Sequence, residues 1–383
     1  MNAADIDILR LATIINNLIC CFIAFMFLFM ARNQLTLNKK RAANWFMLYS
    51  LFFGAGYAVS LARGWFDIRV IVLVNNFIYQ SITYLMLFGV MQWYQRRLTC
   101  CVQVFAALHI LGYTALMYWL VQYVPDSFSL RANIAAFSLS FGFLFATYIA
   151  IQYRTRGKIG DALLISGLFF SAVVSFVPAI SYDLSQRMIF YISGIVVAQN
   201  VATFVQLGAI LSLLFFDEIE WHYQRAIRDK LTGLYNRRFF EDKSSLLFER
   251  ERGPYFIAII DIDHFKPVND VYGHLQGDRV LEGLAELLTT HFEQDLVARF
   301  GGEEFAILFC RQRREKVFDK LSHFRKSVAE HDFVLNEISI QITVSIGVSE
   351  LEGAHDMTKC FGLADEALYQ AKAEGRNQLV TVS

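Results

Sequence analysis

The chain has 383 residues and carries 35 Lys and Arg against 35 Asp and Glu, so its formal net charge is zero. That average is a sum over two halves. Residues 1–216 hold 14 Lys/Arg and 6 Asp/Glu (about 9% charged, net +8), whereas residues 217–383 hold 21 and 29 (about 30% charged, net −8). The first composition suits a lipid solvent and the second a soluble domain, which excludes a disordered chain, a small disulfide scaffold and a single soluble globule.

Seven apolar stretches of the first half are long enough to cross a bilayer core, which takes about 20 residues. They are Ile8–Met30, Ala42–Ala62, Ile68–Met91, Val102–Val124, Ala132–Tyr153, Ala162–Ser181 and Met188–Phe216. The first is too long and too weakly basic for a cleaved signal and lacks an Ala-x-Ala-like site, so it is expected to remain in the mature protein. Arg32, Lys39, Lys40, Arg41, Arg96, Arg97, Arg154, Arg156 and Lys158 follow spans one, three and five, against Arg63, Arg69, Arg131 and Arg187 in the alternate loops. Basic loops stay in the cytoplasm. The expected topology is therefore an outside N-terminus and a cytoplasmic second half.

Asn16, Asn17, Asn75, Asn76, Gln80, His109, Gln199, Asn200 and Gln206 lie inside the spans. Intramembrane polar groups either bond helices together or mark a ligand pocket. His109 has no second histidine at helical spacing, which argues against a haem or metal site. Ionisable groups of the kind a transporter needs at mid-membrane are essentially missing. Cys20, Cys21, Cys100, Cys101, Cys310 and Cys360 form neither C-x-x-C nor zinc spacing and read as buried filler.

The segment 217–228 has no Gly or Pro, so the last span is expected to continue as a helix. Phe216, Ile219, Tyr223 and Ala226 are spaced 3-4-3 along it, the a/d pattern of a coiled coil. Fewer than two heptads leave two readings open: a connector lying on the membrane surface, or a dimer stalk that transmits helix rotation or sliding.

From 229 onward, helical and strand patterns alternate, which argues for a sheet with helices packed on it. Helices are expected at Arg237–Arg250, Gly277–His291, Lys316–Glu330 and Ala364–Glu374. Strands are expected at Tyr255–Ile260, Leu296–Phe300, Phe305–Phe309, Ile338–Ser349 and Gln378–Val382. The first of these strands delivers Asp261-Ile-Asp263 at its C-terminal end, where two carboxylates can face one ion-filled crevice. The turn Gly301-Gly-Glu-Glu304 places two more carboxylates at a sheet edge. Asp261 and Glu303 can share Mg²⁺ or Mn²⁺ if their strands are neighbours. Lys266, and Lys372 with Arg376 four apart on a late helix face, suit phosphate oxygens. Carboxylates for a metal plus separate cations for phosphates point to nucleotidyl chemistry.

Seven motifs in order make this half resemble the GGDEF domain, the diguanylate cyclase domain of bacteria. They are Asp229-Lys-Leu-Thr-Gly-Leu-Tyr-Asn-Arg-Arg238, Asp261-Ile-Asp-His-Phe-Lys-Pro-Val-Asn-Asp270, Gly273-His-Leu-Gln-Gly-Asp278, Gly301-Gly-Glu-Glu-Phe305, Val344-Ser-Ile-Gly-Val348, Ala364-Asp-Glu-Ala-Leu-Tyr-Gln-Ala-Lys372 and Gly375-Arg-Asn377. The resemblance implies an α+β, palm-like nucleotide cyclase fold after the all-α polytopic membrane bundle. It implies condensation of two GTP to cyclic di-GMP and two pyrophosphates by a homodimer, with no nucleic acid partner, at the bacterial inner membrane.

It further implies that Asp261, the Ile262 carbonyl and Glu303 bind Mg²⁺ (or Mn²⁺), and that Glu304, or Glu303 itself, assists deprotonation of the attacking 3′-hydroxyl. Asn269 and Asp278 would read guanine. His264, Phe265 and Lys266 would contact phosphates, the first two through backbone N–H, and Lys372 and Arg376 would hold the terminal phosphates. The third signature residue is Glu rather than Asp, and Pro267 is a local variation beside a retained Lys266. Where many family members carry an Arg-x-x-Asp product-inhibition site, this chain reads Phe292-Glu-Gln-Asp295, so Asp295 remains without its arginine. A non-catalytic receptor for GTP or cyclic di-GMP is the alternative, and the intact signature argues against it.

Overall fold

The computed structural model describes residues 3–382 except 34, 62–64, 156, 251–253, 336–337 and 353–356. Arg63 and Arg156 of the loop-charge argument lie outside the described residues. The chain divides into two units, 1–219 and 220–383.

In the first unit the apolar stretches become helices because a chain in lipid must bond every backbone amide internally. They are α1 (Ala3–Arg32), α2 (Leu37–Leu61), α3 (Ile68–Trp93), α4 (Cys100–Tyr123), α5 (Phe128–Tyr153), α6 (Ile159–Val174), α7 (Val177–Ser185) and α8 (Met188–Ile227). The surface is apolar, with Phe22, Leu108, Phe137 and Phe204 all more than half exposed, as a lipid solvent allows. Among the described residues six stretches are long and apolar enough to cross a membrane, and α2 is not one of them. Its apolar run is diluted by Asn44, Ser50 and two tyrosines, and Ala42, Phe46, Tyr49 and Tyr57 are almost inaccessible while Leu48 and Leu51 stay on the surface. The sixth predicted span is broken rather than continuous. Pro178 stands at the start of α7, where its missing N–H costs nothing, and the chain bends between Val174 and Val177.

The last helix runs unbroken for 40 residues to Ile227, through the Gly- and Pro-free segment. Just past its apolar stretch, Asp217 of this helix pairs with Lys39 of α2 and, at a longer 3.9 Å, with Lys158.

The second unit contains β1 (Tyr235–Asn236), α9 (Arg237–Arg250), β2 (Pro254–Ile262), α10 (Phe265–Tyr272), α11 (His274–His291), β3 (Leu296–Gly301) and β4 (Glu304–Cys310). There follow α12 (Arg314–Glu330), β5 (Phe333–Leu335), β6 (Ile338–Ile340), β7 (Val344–Glu352), α13 (Met357–Ala373) and β8 (Leu379–Thr381). A six-stranded sheet has the order β1-β3-β4-β2-β7-β8, and β5 pairs with β6 separately.

Central β2 is antiparallel to both β4 and β7 and is buried on both faces, which explains its unbroken apolar run. Phe256, Ala258 and Ile260 pack on one side with Leu284, Leu288 and Phe324 of α11 and α12. Tyr255, Ile257 and Ile259 pack on the other with Phe240 of α9 and Leu368 of α13. The period-2 alternation thus feeds two helical layers.

The single strand expected over Ile338–Ser349 is two strands, β6 and β7, separated at 341–343. Thr343 in that break has another task, described below. The short helix α10 and the two-residue β1 carry too little periodicity to be read from the sequence.

Candidate active site

The register of β2 brings the acidic residues together. Asp261 lies opposite Glu304 on β4 and opposite Ser345 on β7, and the Ile262 N–H reaches the Glu303 carbonyl at 3.4 Å. Between β3 and β4 the chain reverses through Gly302 at φ 52°, a left-handed conformation that glycine adopts without a Cβ penalty. Glu303 and Glu304 follow directly. Lys372, in the last turn of α13, places its Nζ 2.8 Å from Asp261 Oδ2. Burial pushes the Asp261 carboxyl above the ordinary carboxylate range; Lys372 opposes the shift, and the charges of Glu303 and Glu304 add to it. Asp261 therefore feels the charges of both glutamates and pairs directly with Lys372.

Asp263, two residues on, is differently employed. It accepts from Ser345 Oγ at 2.6 Å, Thr343 Oγ1 at 2.7 Å and the Asn377 N–H at 2.9 Å, and it is buried. With three donors on its oxygens it fastens the end of β2 to β7 and to the turn before β8. The expectation that it faces an ion-filled crevice beside Asp261 is corrected by those bonds.

His264 adopts φ 57° and caps α10, so the N–H groups of Phe265 and Lys266 fall in a first helical turn, where intrahelical acceptors are lacking. The Lys266 side chain is exposed, whereas the Phe265 ring is buried. Asn269 of α10 packs directly on Gly277 of α11, leaving no room for a Cβ, and Asp278 is the next residue. The structure thus joins Asn269 and Asp278 across the α10–α11 junction.

Arg376 departs from the sequence reading. It was expected four residues beyond Lys372 on one helix face, but α13 ends at Ala373. Gly375 has a positive φ, Arg376 a φ of 65°, and the Arg376 N–H closes back on the Ala371 carbonyl at 3.0 Å. This is a glycine-driven helix stop, and it leaves the Arg376 side chain exposed beyond the helix.

Phe292, in the place of the missing inhibitory-site arginine, is buried against Phe309 and Phe324, with ring centroids 5.7 Å and 5.2 Å away. Asp295 is held by Gln312 Nε2 at 2.6 Å and Lys320 Nζ at 3.0 Å, its side chain buried.

Sequence reasoning missed Arg299, which donates to the Gly302 carbonyl and to Asp229. Its signal was a lone charge in the apolar strand Leu-Val-Ala-Arg-Phe-Gly, two residues before the signature. A cavity of about 360 Å³ lies beside the site, against Asp263, His264, Val271, Tyr272 and Thr343, and touches neither Asp261 nor Lys372. Among the described residues no three His, Cys, Asp or Glu side chains converge as a complete metal cage. Two carboxylates and a carbonyl are still the hard oxygen set Mg²⁺ takes when phosphates and water supply the rest.

A family model described as "Diguanylate cyclase, GGDEF domain" matches residues 226–378. Diguanylate cyclase DgcP of Pseudomonas aeruginosa is 38% identical over 169 residues, covering 43% of this chain and 25% of that protein. The probable diguanylate cyclase DgcT of Escherichia coli is 38% identical over 160 residues, covering 40% and 35%. Among solved structures, the coiled coil and GGDEF domain of DgcB from Caulobacter crescentus in complex with c-di-GMP is 30% identical, covering 43% of this chain and 91% of that one, with a TM-score of 0.42. The chain spans about a quarter to about half of the length of the curated relatives it matches (25% and 52% at the extremes).

Proposed function

Residues 226–378 are a GGDEF domain, and from that premise we propose that the chain is a membrane-anchored diguanylate cyclase. It joins two GTP into cyclic di-GMP with release of two pyrophosphates. The observation that carries the reading is the buried Asp261 carboxylate flanked by Glu303 and Glu304 and facing Lys372.

In each half-reaction a 3′-oxygen of one GTP bonds to the α-phosphorus of the other, and the bond from that phosphorus to the pyrophosphate oxygen breaks. The 3′-hydroxyl proton passes to a carboxylate of this chain, Glu304 or Glu303. Asp261, the Ile262 carbonyl and Glu303 would hold Mg²⁺ or Mn²⁺, which when bound offsets the charge of the phosphates and of these carboxylates. The first-turn amides of α10 and the Lys266 side chain receive phosphate oxygens. Lys372, with Arg376 approaching from beyond the helix, takes the terminal ones. Asn269 and Asp278 read guanine, because an Asp carboxylate accepts from guanine N1–H and N2–H₂ and would stand unpaired against adenine.

Each domain holds one GTP, so catalysis needs a homodimer. Ile219 and Tyr223 on the helix leading to the domain are close to half exposed in a single chain, 46% and 49%, which supports a stalk paired with a second copy. The helical half sits in the bacterial cytoplasmic membrane with its N-terminus outside, on the strength of the basic loops, and controls dimer geometry.

The test is the full chain in proteoliposomes, supplied with GTP and Mg²⁺ and assayed for cyclic di-GMP by mass spectrometry. Product in the wild type and none in Glu304→Ala is the expected outcome. Bound GTP without product in the wild type would make the domain a receptor and overturn the enzyme reading.

A further inference from the structure

Two consecutive residues with side chains stand in the left-handed region just past α13. They are Arg376 at φ 65° and Asn377 at φ 47°, after Gly375 at φ 117°. Residues other than glycine hold that conformation only where their surroundings over-determine it. Here the surroundings are specific hydrogen bonds. The Arg376 N–H returns to the Ala371 carbonyl at 3.0 Å, and the Gln378 carbonyl accepts from the Ile346 N–H at 2.8 Å. Between them, Asn377 is fastened at three atoms. Its N–H donates to Asp263 Oδ2 at 2.9 Å, and its carbonyl oxygen and Oδ1 both accept from Arg325 Nη1, at 2.7 and 2.6 Å.

Asn377 is thus a neutral bridge between an anion and a cation. Asp263 is buried at the end of β2, and Arg325 is half-buried on α12. Hydrogen bonds with one ionised partner are about twice as strong as neutral ones, so this is the firmest point of the turn. The Arg376 side chain, one residue before it, is exposed, and its guanidinium is placed by the backbone on either side. Lys372 differs: α13 carries it and Asp261 pairs with it at 2.8 Å, so the helix sets its position.

We propose that Arg325 is a positioning residue for the terminal phosphates of GTP. It acts at one remove, through Asn377, by fixing the backbone that presents Arg376. This role rests on the assignment of Arg376 to those phosphates in the proposed function. A guanidinium fork meets phosphate oxygens in paired bonds only when its orientation is fixed. A turn free to shift therefore loses the contact while keeping the charge. The loss falls on the triphosphate, because Asn269 and Asp278, which read the base, lie on α10 and α11, outside the clamp.

The experiment measures binding of 3′-deoxy-GTP and 3′-deoxy-GMP, each with Mg²⁺, to the full chain in nanodiscs by calorimetry. Both nucleotides lack the attacking hydroxyl, so the readout is the same whether the domain is an enzyme or a receptor. Arg325→Ala should weaken the triphosphate about tenfold, the scale of one charge-assisted hydrogen bond, and leave the monophosphate within about twofold. Arg376→Ala should give the same pattern, and the double variant should bind no more weakly than Arg376→Ala alone, since the two residues act as one unit. Unchanged triphosphate binding in Arg325→Ala, equal weakening of both nucleotides, or additive losses in the double variant would overturn the proposal. Arg376→Ala without effect would remove the phosphate assignment beneath it, and a wild type that binds neither nucleotide would overturn the GTP reading, each taking this role with it. Should Arg325→Ala fail to fold, Asn377→Gly decides, because glycine keeps the left-handed backbone and deletes only the Oδ1 acceptor. It should weaken the triphosphate about threefold and spare the monophosphate, and equal effects on both overturn the proposal.

Discussion

Arg299 donates to the Asp229 carboxylate at 3.0 Å and, through its other nitrogens, to the Gly302 carbonyl at 2.8 and 3.1 Å. One guanidinium thus ties the first turn of the domain to the reversal that presents Glu303 and Glu304. Without it the carbonyl and the carboxylate both lose a donor, and the reversal is free to shift. Arg299→Ala should lower kcat by about tenfold to a hundredfold, since displacements of an ångström or so cost that much. Its effect on the KM for GTP should be smaller. Arg299→Lys should recover only part, because a single ammonium lacks the fork that serves two acceptors. Wild-type kcat in Arg299→Ala would refute the positioning role.

The same carboxylate predicts a pH dependence. Burial pushes the Asp229 carboxyl up, but the Thr232 N–H, the Thr232 hydroxyl and Arg299 together outweigh it and hold the group below its ordinary value of 3.8. A group depressed in the folded state stabilises the fold above its ordinary value, and that contribution is lost as pH falls through the folded value. Hydrogen exchange at the 229–234 turn should therefore show wild type better protected than Asp229→Asn near neutrality, with the gap closing below pH 3.8. A gap that widens on acidification would contradict this.

Gly277 has a separate consequence for substrate choice. A methyl group there collides with the Asn269 amide while suiting the helix backbone of α11. Gly277→Ala should keep the fold and raise the KM for GTP by about tenfold or more, the scale of one lost good hydrogen bond or two. Asp278→Asn should chiefly erode discrimination against ATP. Competition assays with both nucleotides separate the two effects.

Feedback through the Asp295 region should be missing. Phe292 is packed into the core, and the Asp295 carboxylate is already engaged by Gln312 and Lys320. Cyclic di-GMP titrations of wild type and Asp295→Asn should superimpose. Submicromolar inhibition that disappears in Asp295→Asn would overturn this.

The long helix offers a mechanical prediction. One to three residues inserted near Tyr223 should alter activity according to rotation about the helix, and four should restore most of it, since a turn takes about 3.6 residues. Activity indifferent to all four insertions would remove the stalk model.

Much of this was written locally. The apolar spans, the β2 run and the Gly301-Gly302 reversal follow from solvent, periodicity and backbone freedom, each a property of neighbouring residues. Asp261, Glu303, Glu304 and Lys372 were legible because their residue types and motif order carry the chemistry. The break between β6 and β7, the stop of α13 before Arg376 and the bend at Pro178 were legible only in part, since each depends on which neighbour receives a backbone N–H.

Other assignments needed the assembled sheet. Asp261 and Asp263 are the same residue type two positions apart, yet Asp261 meets Lys372 while Asp263 is consumed by Thr343, Ser345 and Asn377. Arg299 and Asp229 are seventy residues apart and become partners only when β3 brings them together. The sequence alone determined two compositions, one suited to lipid and one to water, and the residue types gathered at the candidate site. The tertiary structure decided which carboxylate is left open to a cation, because hydrogen-bond donors contributed by distant strands occupy some oxygens and leave others exposed.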